Sequence, residues 1–214
     1  MKKNIASQLG FWASVLIAIG TGIYFLTLIY HFSTAGIVNP NTPIVQLIGG
    51  IDTFISLPLF VMLFIAIRYV HEGEKEILGS LGVSFIILFA ATVSINRFVQ
   101  LTVIQPSMPD VPADLSRFLP YATGSVMYAL EWLGWGFFSS LAFVFVAPLF
   151  SASRRNRTIR WLFILYSIFS FTGLIGFVTN TPIAFTAIIA WGPITLVLTI
   201  LLAIYFRHIN TQSA

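Results

Sequence analysis

Six stretches of this chain, residues 11–32, 44–70, 77–104, 126–150, 161–179 and 185–206, are apolar over about the 20 residues that an α-helix needs to cross a bilayer. In lipid a backbone segment must satisfy its own hydrogen bonds, so runs of this length fold as spanning helices. Charged residues make up only 8% of the chain and the mean hydropathy is +0.93. A water-soluble domain carries about 25% charged residues, so a water-facing globule is excluded. The expectation is an all-α polytopic membrane protein, a single bundle of six transmembrane helices over residues 1–214. The first run follows Met1-Lys2-Lys3 and precedes Ser33-Thr34-Ala35-Gly36, which invites comparison with a cleaved signal peptide. A signal peptide's apolar region is about 7–15 residues, shorter than this run, so the segment is read as a retained helix.

The connections carry turn and charge signals. Asn39-Pro40-Asn41-Thr42-Pro43 closes the first loop, and residues 71–76 are almost all charged. The connection over 105–125 holds Pro106, Pro109, Pro112 and Pro120. Residues 151–160 are the most basic stretch, and Asn180-Thr181-Pro182 makes a tight turn. With six spans, Lys2, Lys3, Arg68, Lys75, Arg154, Arg155, Arg157, Arg160 and Arg207 all fall on the side of the termini. The opposite side holds only Arg117, and Arg97 lies within a span. The positive-inside rule then places both termini in the cytoplasm of, by this reading, a bacterial plasma membrane. The basic balance is explained by topology and points away from nucleic acid. Arg154, Arg155, Arg157 and Arg160 are the expected contacts for anionic lipid.

Three charges lie well inside apolar runs: Asp52, Arg97 and Glu131. An ionisable group at membrane depth is a functional-site candidate by default, because insertion scales put its cost at roughly 2.5–3.5 kcal/mol. Counted from the ends of their runs at a 1.5 Å rise, they sit on the order of 12, 10 and 8 Å below the same outer boundary. They come from consecutive runs, so a shared cluster is expected. Val93, Asn96, Arg97 and Gln100 follow i, i+3, i+4, i+7 spacing and form one helix stripe. Asp52, Ser56 and Gly49 share another, as do Tyr128, Glu131, Trp135 and Ser139. His31 sits near the outer end of the first run, read as an interfacial histidine, and Tyr128, Trp132 and Trp135 read as interfacial aromatic anchors. Residues 112–119 carry Leu115, Phe118 and Leu119 on one face of a short helical turn, a shape suited to lying over the cluster.

The expected ligand-binding set is therefore Asp52, Arg97, Glu131, Asn96, Gln100, Ser56, His31, Tyr128 and Trp135. One arginine against two carboxylates leaves the cluster net negative, which suits a small polar or cationic solute that is bound or transported. Two alternatives stay open. Asp52 and Glu131 could serve as acid and base of an intramembrane lipid enzyme, with Arg97 gripping a phosphate. The charges could also simply hold helices together in a non-catalytic subunit. No phosphate loop, His-Glu-x-x-His motif or nucleophile elbow occurs. No cofactor or metal is expected: there is no cysteine, no lysine inside an apolar run for a retinal Schiff base, and no histidine placed for a transmembrane haem.

Ile95-Asn96-x-Phe98-x-Gln100-Leu101-Thr102-Val103, Ala147-Pro148-Leu149-Phe150 and Ile159-Arg160-Trp161-Leu162-Phe163 resemble a group of small, uncharacterised bacterial multi-helix membrane proteins. The group has no established activity, so the resemblance implies a fold and no chemistry. It also implies an aromatic residue often standing at the position of Arg97, which would make Asn96 and Gln100 the general feature.

Overall fold

All six apolar runs are helices in the computed structural model, which describes residues 2–35, 42–71, 73, 75–108, 110–119, 122, 124–150 and 153–212. They are α1 (Lys2–Ala35), α2 (Pro43–Val70), α3 (Glu76–Ser107), α4 (Val126–Leu149), α5 (Arg154–Val178) and α6 (Pro182–Thr211). All six are long and apolar enough to cross a membrane, and no strand occurs among the described residues. Four helices, α1, α3, α5 and α6, outrun the apolar segments that announce them by more than one residue. The polar start of α1 continues its helix from Lys2, and α5 begins at Arg154, where the Ser153 side chain caps the amide of Asn156 at 3.1 Å. Hydropathy marks the part of a helix that faces lipid, whereas capping chemistry marks where the helix begins.

Each helix packs on the next in sequence, and α6 returns to α1, so the bundle closes as a ring. Aromatic side chains fill its centre. Phe143 stacks on Tyr166 with centroids 3.8 Å apart, and Phe60, Phe64, Phe89 and Phe163 close around them. Lipid drives no hydrophobic collapse between helices, so close approach depends on small residues that admit a neighbour. A Cβ at Gly10 would lie 2.4 Å from the Phe206 ring. One at Gly176 would lie 2.1 Å from the backbone nitrogen of Ala184, where the turn into α6 crosses α5.

The helices are not uniform. α3, α4 and α6 each contain a π turn, at Gln100–Ile104, Trp132–Phe138 and Ala190–Ile194. Pro193 lies within the last, and the Thr195 hydroxyl donates to the Ala190 carbonyl at 2.9 Å, supplying a bond in a turn where proline offers none. Between α3 and α4, Ala113–Phe118 forms a short 3-10 helix after Pro112. It rests on the end of α3 and the start of α4, with Asp114, Ser116 and Arg117 outward and Leu115 and Phe118 half-buried.

At the end holding the termini, His71 closes the gap between α2 and α6. Its Nδ1 donates to the Ile67 carbonyl at 2.9 Å, so its Nε2 accepts from the Tyr205 hydroxyl at 3.1 Å. Its ring lies parallel to Tyr205 and edge-on to Phe150. Burial pushes its pKa below the usual histidine range; the Ile67 bond opposes this and the Lys75 charge adds to it.

Two outcomes follow from these contacts. Gly176→Ala should destabilise the protein by an amount at the upper part of the roughly 1–3 kcal/mol range of overpacking. Gly22→Ala, which meets nothing within 4 Å, should be neutral or slightly stabilising. Thermal unfolding in detergent compares the two, and equal Tm values would contradict the packing described. For His71, a folded pKa below the unfolded value of about 6.5 gives stability that is complete above that pH. That stability is lost as pH falls from about 6.5 through the folded value. The Tm of the protein should fall across this window, and His71→Phe should flatten the slope.

Candidate functional site

Arg97 and Glu131 meet between α3 and α4, their side chains only 6% and 8% exposed. Arg97 Nη2 donates to Glu131 Oε1, and Asn96 Nδ2 donates to Oε2, so both carboxylate oxygens are engaged. Arg97 Nη1 donates to Gln100 Oε1, and Gln100 Nε2 donates to Gln46 Oε1 at 2.5 Å. One connected network thus runs from α4 through α3 to α2. The stripe of Asn96, Arg97 and Gln100 presents three polar side chains within about one turn, which lets a single helix serve two neighbours.

Asp52 stands apart from this chain of bonds. Gly49, Asp52 and Ser56 do form one stripe, but it faces α1: Gly49 receives the Tyr24 ring, and Asp52 and Ser56 receive Gly20. A Cβ at Gly20 would lie 2.2 Å from Asp52 Oδ1 and 3.4 Å from Ser56 Oγ, so the carboxylate occupies the notch that the missing side chain leaves. Asp52 is half-buried and makes no hydrogen bond or ion pair among the described residues. Arg97 is near enough for its charge to act on Asp52, but its guanidinium is committed to Glu131 and Gln100. The face of α2 that meets α3 is carried instead by Gln46 and Gly50, the latter against Leu101.

The remaining expected residues divide. Trp135 packs into the core, edge-on to Phe89 with centroids 4.7 Å apart, and its carbonyl accepts from Ser139 and Ser170. Ser139 in turn contacts the Tyr166 hydroxyl at 2.9 Å. The π turn beginning at Trp132 accounts for this, since the extra residue in the turn breaks the 3.6-residue register linking Glu131 to Trp135. Tyr128 is half-buried and edge-on to Phe177 and Trp132. Trp132 is no interfacial anchor: it is 3% exposed, stacked on Phe177 and tilted against Trp191. His31 is also buried rather than interfacial, because Ile17, Tyr24 and His31, seven apart, share the inward face of α1.

Several buried groups are left over. Asn96 Oδ1, Trp132 Nε1 and His31 Nε2 are buried and have no hydrogen-bond partner among the described residues. Sequence reasoning missed Gln46, whose signal is that it is the one strongly polar side chain between Pro43 and Asp52. It also missed the inward position of Trp132, which no pattern in the sequence announces. A groove of about 550 Å³ between α2 and α3, beside Pro58, is lined by apolar side chains and Ser94, and holds none of the candidate residues. Among the described residues no group of three or more His, Asp, Glu or Cys side chains is placed to hold a metal ion.

No family model, curated protein or solved structure matches the chain. Its class therefore comes from its own architecture: a ring of six membrane-length apolar helices, compatible with an integral membrane protein, with an aromatic centre and a buried polar network joining α2, α3 and α4.

Breaking the ion pair from one side leaves the other charge buried and uncompensated. Arg97→Gln or Glu131→Gln should each cost about 3–5 kcal/mol. The double variant should cost clearly less than the sum of the two. Unfolding in detergent micelles measures the cycle, and strict additivity would show that the two side chains do not pair.

Proposed function

We propose that this protein binds a small polar or cationic solute at the network in the outer half of the bundle, as a binding or transport protein with both termini cytoplasmic. The observation that carries the reading is unused hydrogen-bonding capacity. Asn96, Glu131 and Trp132 are all at least nine-tenths buried, yet Asn96 keeps a free acceptor and Trp132 a free donor. Each such group costs about 1–3 kcal/mol when left unmet. A network serving only to hold helices would gain by replacing Trp132 with phenylalanine and Asn96 with an apolar residue. A solute that accepts from the indole N–H and donates to the Asn96 carbonyl offsets that cost.

The electrostatics favour a cation. Arg97 is paired with Glu131, and Asp52 adds a second carboxylate that makes the three charges net negative. The satisfied pair holds the ligand-facing groups in place without itself competing for the solute. Non-α turns also support the reading: Gln100–Ile104 and Trp132–Phe138 flank the network, and Ala190–Ile194 carries Trp191 against Trp132. π turns recur at functional sites because they re-aim side chains and loosen a helix locally.

The test is a thermal-shift series on purified protein with alkylammonium ions, amides and polyols. At least one class should raise the Tm of wild type. Asp52→Asn should keep the wild-type Tm and lose most of the shift. If no solute acts and Trp132→Phe or Asn96→Leu stabilises the protein, the network is packing glue.

A further inference from the structure

The first two turns of α5 carry Arg154, Arg155, Arg157 and Arg160, and the structure separates them into two pairs. Arg154 and Arg157 are exposed. Arg155 and Arg160 are half-buried, Arg155 on the side of the buried Ile159 and near enough to Tyr205 of α6 to act on it electrostatically. Among the described residues the ion pairs are Arg68–Glu76 and Arg97–Glu131, so none of the four arginines has an acidic partner. No acidic residue occupies the first turn of α5 either, so the positive end of the helix dipole is uncompensated.

The outward face continues down the helix. Arg154, Arg157, Trp161, Leu165, Ile168, Phe171 and Ile175 are spaced three or four apart and all exposed, with Trp161 at 57%. One leaflet of about 15 Å corresponds to roughly ten residues of helix, the distance from Trp161 to Phe171. Two unpaired guanidinium groups therefore cap an apolar stripe one acyl chain long, with an indole at the level where headgroup meets chain.

We propose that this face of α5 is a docking site for an anionic phospholipid of the leaflet on the side of the termini. Arg154 and Arg157 hold its phosphate, and the stripe from Trp161 to Phe171 lies along its acyl chain. Guanidinium groups suit this role because they bind phosphate oxygens through two parallel hydrogen bonds. Arg155 and Arg160 carry equal charge but flank the protein side of the helix, so they contribute little to this contact.

The full chain is reconstituted in phosphatidylcholine vesicles containing a minority of phosphatidylglycerol, with bromine on the acyl chains of one lipid or the other. Trp161 emission is taken as the difference between wild type and Trp161→Phe, since the chain has 5 tryptophans. At equal mole fraction, brominated phosphatidylglycerol should quench Trp161 several-fold more than brominated phosphatidylcholine. Arg154→Gln with Arg157→Gln should abolish the preference, each arginine being worth about fivefold. Arg155→Gln with Arg160→Gln, an equal change in net charge, should leave it. Equal quenching by the two lipids in wild type would overturn the proposal. So would equal loss in the two double variants, which would reduce the effect to the general field of the basic loop.

Discussion

An arginine and a glutamate buried face to face hold together the half of this bundle that lies away from the termini. A lone charge at that depth opposes insertion of its helix, whereas a paired and hydrogen-bonded one is tolerated. The Arg97–Glu131 contact thus makes α3 and α4 acceptable to lipid as a unit, and Gln100 and Gln46 extend the same chain of bonds to α2. Its position also decides the rest of the site. Arg97 hydrogen-bonds Glu131 and Gln100, while the Asp52 carboxylate fills the notch at Gly20 on α1.

The bundle divides its polar groups by depth. Near mid-span, Ser139, Tyr166, Ser170 and Trp191 satisfy one another across α4, α5 and α6, as groups meant only to join helices should. At the terminal side, His71, Tyr205 and Ile67 do the same. Among the described residues, unmet groups on nine-tenths-buried side chains such as Asn96 and Trp132 lie in the half of the bundle away from the termini. That contrast within one molecule is the physical ground for the proposal that the Arg97–Glu131 network is a ligand site and the others are structure.

Much of this was legible in advance. The six apolar runs, the similar depth of Arg97 and Glu131, and the stripe of Asn96, Arg97 and Gln100 all follow from residue spacing alone. The rest was not legible for three physical reasons. A helical wheel says which residues share a face but not which neighbour that face meets: Asp52 and Ser56 share a stripe, but it faces α1 and not α3. The π turn after Glu131 shifts the register by a residue and carries Trp135 into the aromatic core. Trp132 and His31 lie near helix ends, where aromatic rings usually meet headgroups, and only packing against Phe177 and the inward face of α1 removes them from that level.

The sequence by itself determined that this chain forms six membrane-length helices and that three of them bring charge to one depth. Those properties depend on composition and on a fixed rise per residue, which are local. The tertiary structure alone decided how the charges are shared. Ring closure, the glycine notches and the π turns set which side chains face one another across helices. Pairing energies at this depth depend on contacts of a few ångströms between residues far apart in the chain. That is why Arg97 meets Glu131 across α3 and α4, and why Asp52 lies instead in the notch at Gly20 of α1.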